Sequence, residues 1–118
     1  FKKDENKTFL HIDEYSNQSA TLTISLDVIF HLIEDHIFND YMNRLFNSSQ
    51  KFVIIYSSNT SEQFETVPKH FRQRKFTKWI EKYKSEFLQI DKIKNEYPYD
   101  INSGKGSVSD FYFFQKSK

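Results

Sequence analysis

The chain has 118 residues, with 17 Lys plus Arg against 16 Asp plus Glu and a formal net charge of +1. This near-neutral balance excludes a global electrostatic attraction to nucleic acid or anionic membranes, and the absence of Cys excludes disulfides and thiolate metal sites. No apolar run reaches the roughly 20 residues of a membrane span, so we expect one cytoplasmic domain.

The first predicted element is a short strand before residue 14, where apolar residues 9, 10 and 12 precede two acids. A second strand over about residues 21–30 follows, because apolar and polar residues alternate along it. Glu34 and Asp35 then favour the start of a helix, since negative charge is stabilised there. Its apolar residues recur at three- and four-residue spacing, which is typical of an amphipathic helix. They are Ile37, Phe38, Tyr41, Met42, Leu45 and Phe46.

Residues 52–56 are an unbroken apolar run, which is typical of a strand covered on both faces. With the preceding strand and helix, this run predicts a parallel βαβ unit. After a polar loop at 57–68, residues 69–87 predict a second helix, with apolar positions from Phe76 to Phe87 on one face. Residues 88–93 and 110–114 predict two final strands that pair antiparallel.

Six segments stand in a fixed order along the chain: SLDVIFHLIED, YMNRLF, FVIIYSSN, HFRQRKFTKW, NEYPY and SDFYFF. Together they resemble a bacterial subgroup of class I S-adenosylmethionine (SAM)-dependent methyltransferases. The element order over residues 21–115 is similar to the carboxyl-terminal half of that fold. The resemblance implies an α/β class with a partial Rossmann-like sheet. That sheet would be mostly parallel with an antiparallel C-terminal hairpin, and helices would cover its faces.

The resemblance also implies the site. Asp27 and His31 would border the cofactor and the methyl acceptor, with contact to SAM or general-base catalysis as their roles. Asp13 would correspond to an acid that approaches the adenine of SAM. A structural interpretation stays open, in which Asp27 caps a turn and His31 packs in the interior.

His70, Arg72 and Arg74 alternate, so in an extended segment their side chains point the same way. Arg forks suit carboxylate or phosphate, and we predict that these residues bind an anionic acceptor. Tyr56, at the end of the neighbouring strand, is a further predicted substrate contact. The alternative is a solvated basic loop whose Arg stems cover neighbouring aromatic rings.

The chain departs from the family at its other end. Its only two Gly are residues 104 and 106, so it lacks the Gly-rich turn that holds SAM in such enzymes. We therefore expect a carboxyl-terminal fragment that is inactive alone and binds SAM poorly or not at all.

The alternative to an enzyme fragment is a naturally short, non-catalytic interaction module. Its open strand edge beside residues 21–30 would pair with a second copy or another chain. We expect no metal, because His31, Asp35 and His36 lack a further convergent ligand. Nucleic acid is not expected either, because the aromatic residues of the basic segment 69–84 are predicted to lie in the core.

Overall fold

The computed structural model describes residues 8, 10, 14, 18–63 and 71–117. These residues form a mixed α/β fold with one four-stranded sheet and two α-helices. The elements are, in order, β1 (Ala20–Leu26), α1 (Asp35–Asn47), β2 (Ser49–Ser57), α2 (Phe76–Tyr83), β3 (Phe87–Ile93) and β4 (Asp110–Lys116). They confirm the predicted order strand, helix, strand, helix, strand, strand. The short strand predicted before residue 14 lies almost entirely outside the described residues.

The strand order in the sheet is β1-β2-β4-β3. β1 and β2 are parallel, as the predicted βαβ unit requires, and β4 is antiparallel to both β2 and β3. The antiparallel pairing of the last two strands is thus confirmed. The prediction of a mostly parallel sheet is wrong, because only one of the three neighbouring pairs is parallel. The physical reason is that β4 enters between β2 and β3 and keeps those two strands apart.

Two predicted boundaries also change. β1 ends at Leu26 and not near residue 30, because Asp27 has a φ of 56°, a left-handed conformation that turns the chain out of a strand. Ile29–His31 then form a short 3-10 turn. The second helix begins at Phe76, so Arg72, Arg74 and Lys75 lie in the segment before it, called the entry segment below. Phe87, which its spacing placed on that helix, is the first residue of β3.

Both helices pack on the same face of the sheet, which is called the covered face below. In α1, the Tyr41 hydroxyl donates to Ser25 Oγ of β1 at 2.6 Å. In α2, Phe76 stands edge-on to Tyr112 of β4, with ring centroids 5.0 Å apart. The buried apolar side chains are Ile29, Phe38, Met42, Leu45, Phe46, Val53, Ile55, Phe76, Ile80, Phe87, Tyr112 and Phe114.

The opposite face of the sheet, called the bare face below, has no helix on it among the described residues. The two α-helices have 13 and 8 residues, and none in the described part of the chain is long and apolar enough to cross a membrane.

Candidate functional site

The carboxyl ends of β1 and β2 meet at one edge of the sheet, which is where open α/β sheets bind ligands. There the Asp27 N–H donates to the carbonyl of Tyr56 at 2.8 Å. Asp27 tolerates its positive φ because a short Asp side chain can enter the left-handed region. Ser109, buried just before β4, donates from Oγ to Asp27 Oδ1 at 2.8 Å. Three strand ends therefore fix one carboxylate.

The contacts of Asp27 agree with a structural role at the turn, and they leave one carboxylate oxygen available for chemistry. The residue is exposed, and no group in the described part of the chain donates to its second carboxylate oxygen, Oδ2. One oxygen therefore holds the turn in place while the other faces solvent. The predicted role of Asp27 in binding SAM or in proton transfer stays a prediction.

A hydrogen-bond chain joins Asp27 to Tyr56, another predicted site residue. The Tyr56 hydroxyl donates to Ser107 Oγ at 3.0 Å, and this same oxygen accepts the backbone N–H of Ser109 at 3.0 Å. The Tyr56 ring also packs against Phe111, with centroids 4.4 Å apart. The phenol is thus part of the scaffold at this edge, and its orientation is set by both contacts.

His31 closes the 3-10 turn that follows Asp27. Its imidazole lies 4.5 Å from the ring of Phe30 and 4.7 Å from the ring of Phe71, measured between centroids. The residue is nevertheless exposed. Within 18–63 and 71–117, no group hydrogen-bonds to either ring nitrogen of His31. Aromatic packing therefore orients the ring, and its nitrogens remain available for proton transfer.

Arg74 fastens the loop between the 3-10 turn and α1. Its guanidinium donates from Nε to the carbonyl of Leu32 at 3.1 Å and from Nη2 to the carbonyl of Ile33 at 2.7 Å. Nη1 donates to Asp35 Oδ1 at 2.8 Å. The side chain is only 11 % exposed and lies over the Phe38 ring, 4.4 Å from its centroid. All three guanidinium nitrogens are therefore bound within the protein.

Arg72 lies beside Arg74 but is more open. Its backbone N–H donates to the carbonyl of Phe30 at 2.7 Å. Its Nη1 donates to Ile33 O at 3.0 Å and to Asp35 Oδ1 at 2.9 Å. The side chain is 43 % exposed, and its Nε and Nη2 have no acceptor in the described part of the chain. The hydrogen bond from Arg74 and the charge of Arg72 lower the pKa of Asp35 from its ordinary value.

The end of β2 carries two serines with unusual surroundings. Ser57 and Ser58 are buried, and their hydroxyls have no hydrogen-bond partner among the described residues. An unpaired buried hydroxyl costs roughly 1–3 kcal/mol, so two adjacent ones mark a polar point at the end of β2 that calls for an explanation. The lack of a Gly-flanked turn argues against a hydrolase nucleophile here.

The loop after β2 is tied to the entry segment of α2. The Asn59 side chain bonds Thr77 in both directions, with its Nδ2 donating at 3.0 Å and its Oδ1 accepting the Thr77 N–H at 3.3 Å. Gln63 likewise donates to the carbonyl of Gln73 at 2.8 Å and accepts its N–H at 3.1 Å. These side-chain pairs hold residues 59–63 and 73–77 together at the edge of the site.

Two predicted site residues, Asp13 and His70, lie outside the described residues. Of the others, Asp27 and Tyr56 share one network, whereas Arg72 and Arg74 converge on Asp35. Ser107 and Ser109 were missed, because their proximity to Asp27 depends on where β4 enters the sheet. In the described part of the chain, no three His, Asp or Glu side chains converge to hold a metal. No family model, curated protein or solved structure matches the chain.

Proposed function

We propose that the chain is the carboxyl-terminal part of a SAM-dependent methyltransferase or methyltransferase-like protein with an anionic methyl acceptor. The observation that carries the proposal is the exposed Asp27 at the carboxyl end of a parallel strand, where its backbone N–H donates to Tyr56 O and its carboxylate accepts from Ser109. The element order supports a partial Rossmann-like methyltransferase sheet, because a parallel βαβ unit is followed by a helix and an antiparallel hairpin.

The residues described provide one side of a SAM site. Asp27 Oδ2 can accept a hydrogen bond from a hydroxyl or an ammonium group. Gly104 and Gly106 cannot supply the missing Gly-rich turn, because they lie between β3 and β4 and not between a strand and a helix. Bound SAM supplies an electrophilic methyl group, and the chain alone is expected to bind it poorly or not at all.

The contribution of these residues to methyl transfer is alignment and proton removal. Methyl transfer is an in-line displacement, so the acceptor must be held in register with the methyl carbon. Asp27 and His31 flank the same turn and are both exposed, so either can take the proton that an acceptor hydroxyl or amine loses.

Arg72 is the better candidate of the two arginines for an anionic acceptor. It keeps two guanidinium nitrogens and 43 % of its side-chain surface open, whereas Arg74 is bound at all three nitrogens. Arg74 is therefore proposed as a positioning residue for the loop at 32–35. His70 remains a proposed acceptor contact on the strength of the resemblance alone.

The test begins with the coding sequence upstream of Phe1, where we expect a Gly-rich strand-to-helix turn. Calorimetry on the protein that includes this region should show SAM binding, weakened at least about tenfold by Asp27→Asn. Asp40→Asn, at an exposed position of α1, is the matched control. Unchanged SAM affinity in Asp27→Asn contradicts the role of Asp27, and tight stoichiometric SAM binding by the 118 residues alone contradicts the fragment proposal.

A second candidate is a non-catalytic interaction module that uses the open edge of β1. The observation that favours it is that, among the described strands, β1 pairs with β2 alone and ends the sheet. Its outer backbone groups are a template for another strand. Light scattering that finds a monodisperse, long-lived monomer would count against this candidate.

A further inference from the structure

In β1, polar and apolar residues alternate, and it is the polar residues that face the helices. Its polar residues point toward the covered face, where Thr23 Oγ1 donates to the carbonyl of Leu45 at 2.8 Å and Ser25 accepts from Tyr41. Because successive side chains point to opposite faces, the apolar residues of β1 point toward the bare face. They are Leu22, Ile24 and Leu26, each about half exposed. The apolar stripe of this strand therefore faces solvent.

The same apolar character continues across all four strands of the bare face. The strand registers place further side chains there by alternation. They are Phe52, Ile54 and Tyr56 of β2, Phe111 and Phe113 of β4, and Leu88 and Ile93 of β3. Asp91 is the only charged residue that alternation places on this face in the described strands. The surface is thus largely apolar and nearly uncharged, with Gln115 of β4 as a polar neighbour of Phe52 and Leu88.

The exposed side chains of this face are extensive. Five aliphatic residues, from β1 and β3, are between 45 % and 58 % exposed. With the half-buried rings and Ile54 between them, they form a largely apolar surface on the order of the 300–600 Å² of the largest patch on a typical monomer. Two such faces would bury on the order of 1,000 Å² in total, the size at which a specific interface begins.

A rigid apolar rim borders the face at the end of β2. Tyr97, Ile101 and Val108 are exposed on the loop between β3 and β4, and Ser107 of this loop accepts from Tyr56 on the bare face. Asn95 braces the loop by donating to the carbonyls of Ser107 and Ser109, at 3.1 and 2.6 Å. The loop therefore presents further exposed apolar side chains at this end of the sheet.

We infer that a second copy of this chain docks on the bare face, giving a two-fold dimer in which the two sheets pack face to face. An uncharged apolar face is complementary to itself, as an isologous interface requires. Two twisted sheets can stack about 10 Å apart with their strands near −30°. This interface is distinct from pairing at the β1 edge. It is inferred for the 118-residue chain by itself, because the helices of a complete methyltransferase fold would occupy the same face.

The first test is sedimentation equilibrium on the 118-residue chain between about 1 and 200 µM. We expect a monomer–dimer equilibrium with a micromolar or tighter dissociation constant. A monomer throughout this range would overturn the inference, whatever covers the face. Species that grow beyond dimer with concentration would overturn it too, because they indicate non-specific association.

Paired substitutions at opposite edges of the sheet identify the surface. Ile24→Lys on β1 and Ile93→Lys on β3 should each weaken the dimer at least about tenfold, because each places a charge in an apolar interface. The matched controls Thr21→Lys and Gln89→Lys alter exposed residues of the same strands on the other face and should leave the dimer unchanged. Weakening by Ile24→Lys alone would assign the contact to the β1 edge and overturn the inference.

Circular dichroism checks that each variant folds. If a lysine variant does not fold, Ile24→Thr and Ile93→Thr replace it, since Thr keeps the β-branched shape that strands favour. Both should weaken the dimer several-fold, and no change in either would contradict a face-to-face interface. The SAM measurement uses Asp27→Asn, which lies just after the end of β1, and is a separate experiment from the dimer measurements on these variants.

Discussion

The two faces of the sheet are built from the same four strands, yet the side chains of the two faces differ in what they contact. On the covered face, aromatic rings meet edge-on, as for Phe46 and Phe87 at 4.9 Å, and the buried Ser25 hydroxyl finds a partner on α1 in Tyr41. Burial there even raises the pKa of the Tyr41 hydroxyl. On the bare face, aliphatic side chains of the edge strands are half exposed. Apolar alternation therefore shows that a strand face is suited to burial, and does not show what buries it.

The largest difference between the two faces is expected when a large side chain is truncated on each of them. Phe76 is fully buried and packs on Tyr112, so Phe76→Ala should lower the free energy of unfolding by about 3–5 kcal/mol. The matched change on the bare face, Leu88→Ala, removes a side chain that is 58 % exposed. It should cost less than about 1 kcal/mol in dilute protein. Urea unfolding at low concentration compares the two, and equal losses would show that the bare face is covered within one chain.

The rim of the bare face allows a second comparison within one turn. A Cβ added at Gly106 would lie 2.3 Å from the Pro98 carbonyl oxygen, and φ there is +95°. Gly106→Ala should therefore cost about 2–3 kcal/mol. At Gly104, with φ of +70°, a Cβ meets nothing within 4 Å, so Gly104→Ala should cost only about 1 kcal/mol. Equal thermal shifts for the two would mean that the turn is not held against Pro98.

The sequence predicts the order of the elements better than their arrangement. The apolar pattern identifies α1, which has one apolar face, and β2, which contains an unbroken apolar run. The parallel βαβ pairing follows from these two elements. The place of β4 does not follow, because a strand can add at either open edge or enter between neighbours. The mixed sheet and the contact between Ser109 and Asp27 both depend on that one choice.

The arginine pair shows the same limit at the candidate site. Alternation of Arg72 and Arg74 indicates that both point one way, and their forks indicate an anion. The anion that they contact is Asp35, which the sequence places only at a helix start. Spacing along the chain cannot reveal such a partner, because residues 35 and 74 meet only after α1 and the entry segment of α2 have packed together.

Arg74 makes the next prediction, because it joins the site to the covered face. Arg74→Lys keeps the charge but loses the fork that binds Leu32 O and Ile33 O together, so it should cost about 1–2 kcal/mol in free energy of unfolding. Arg72→Lys, at a more open position, should cost less than about 0.5 kcal/mol. Chemical denaturation measures both losses. A larger loss for Arg72→Lys would show that Arg72, and not Arg74, positions the loop.

The smallest effect is expected at the exposed residue Asp35. It is a dependence of the free energy of unfolding on pH. The hydrogen bond from Arg74 and the charge of Arg72 lower its pKa in the folded chain. The unfolded chain therefore binds more protons at this group, so its stabilisation is complete above its ordinary pKa of 3.8 and is lost as pH falls through the folded value. Asp35→Asn should lower stability at pH 6, and the gap should narrow as pH falls below 3.8. Asp40→Asn, at an exposed position of the same helix, is the matched control. A gap for Asp35→Asn that persisted at pH 2 would mean that this residue acts through its hydrogen-bonded shape and not through its charge.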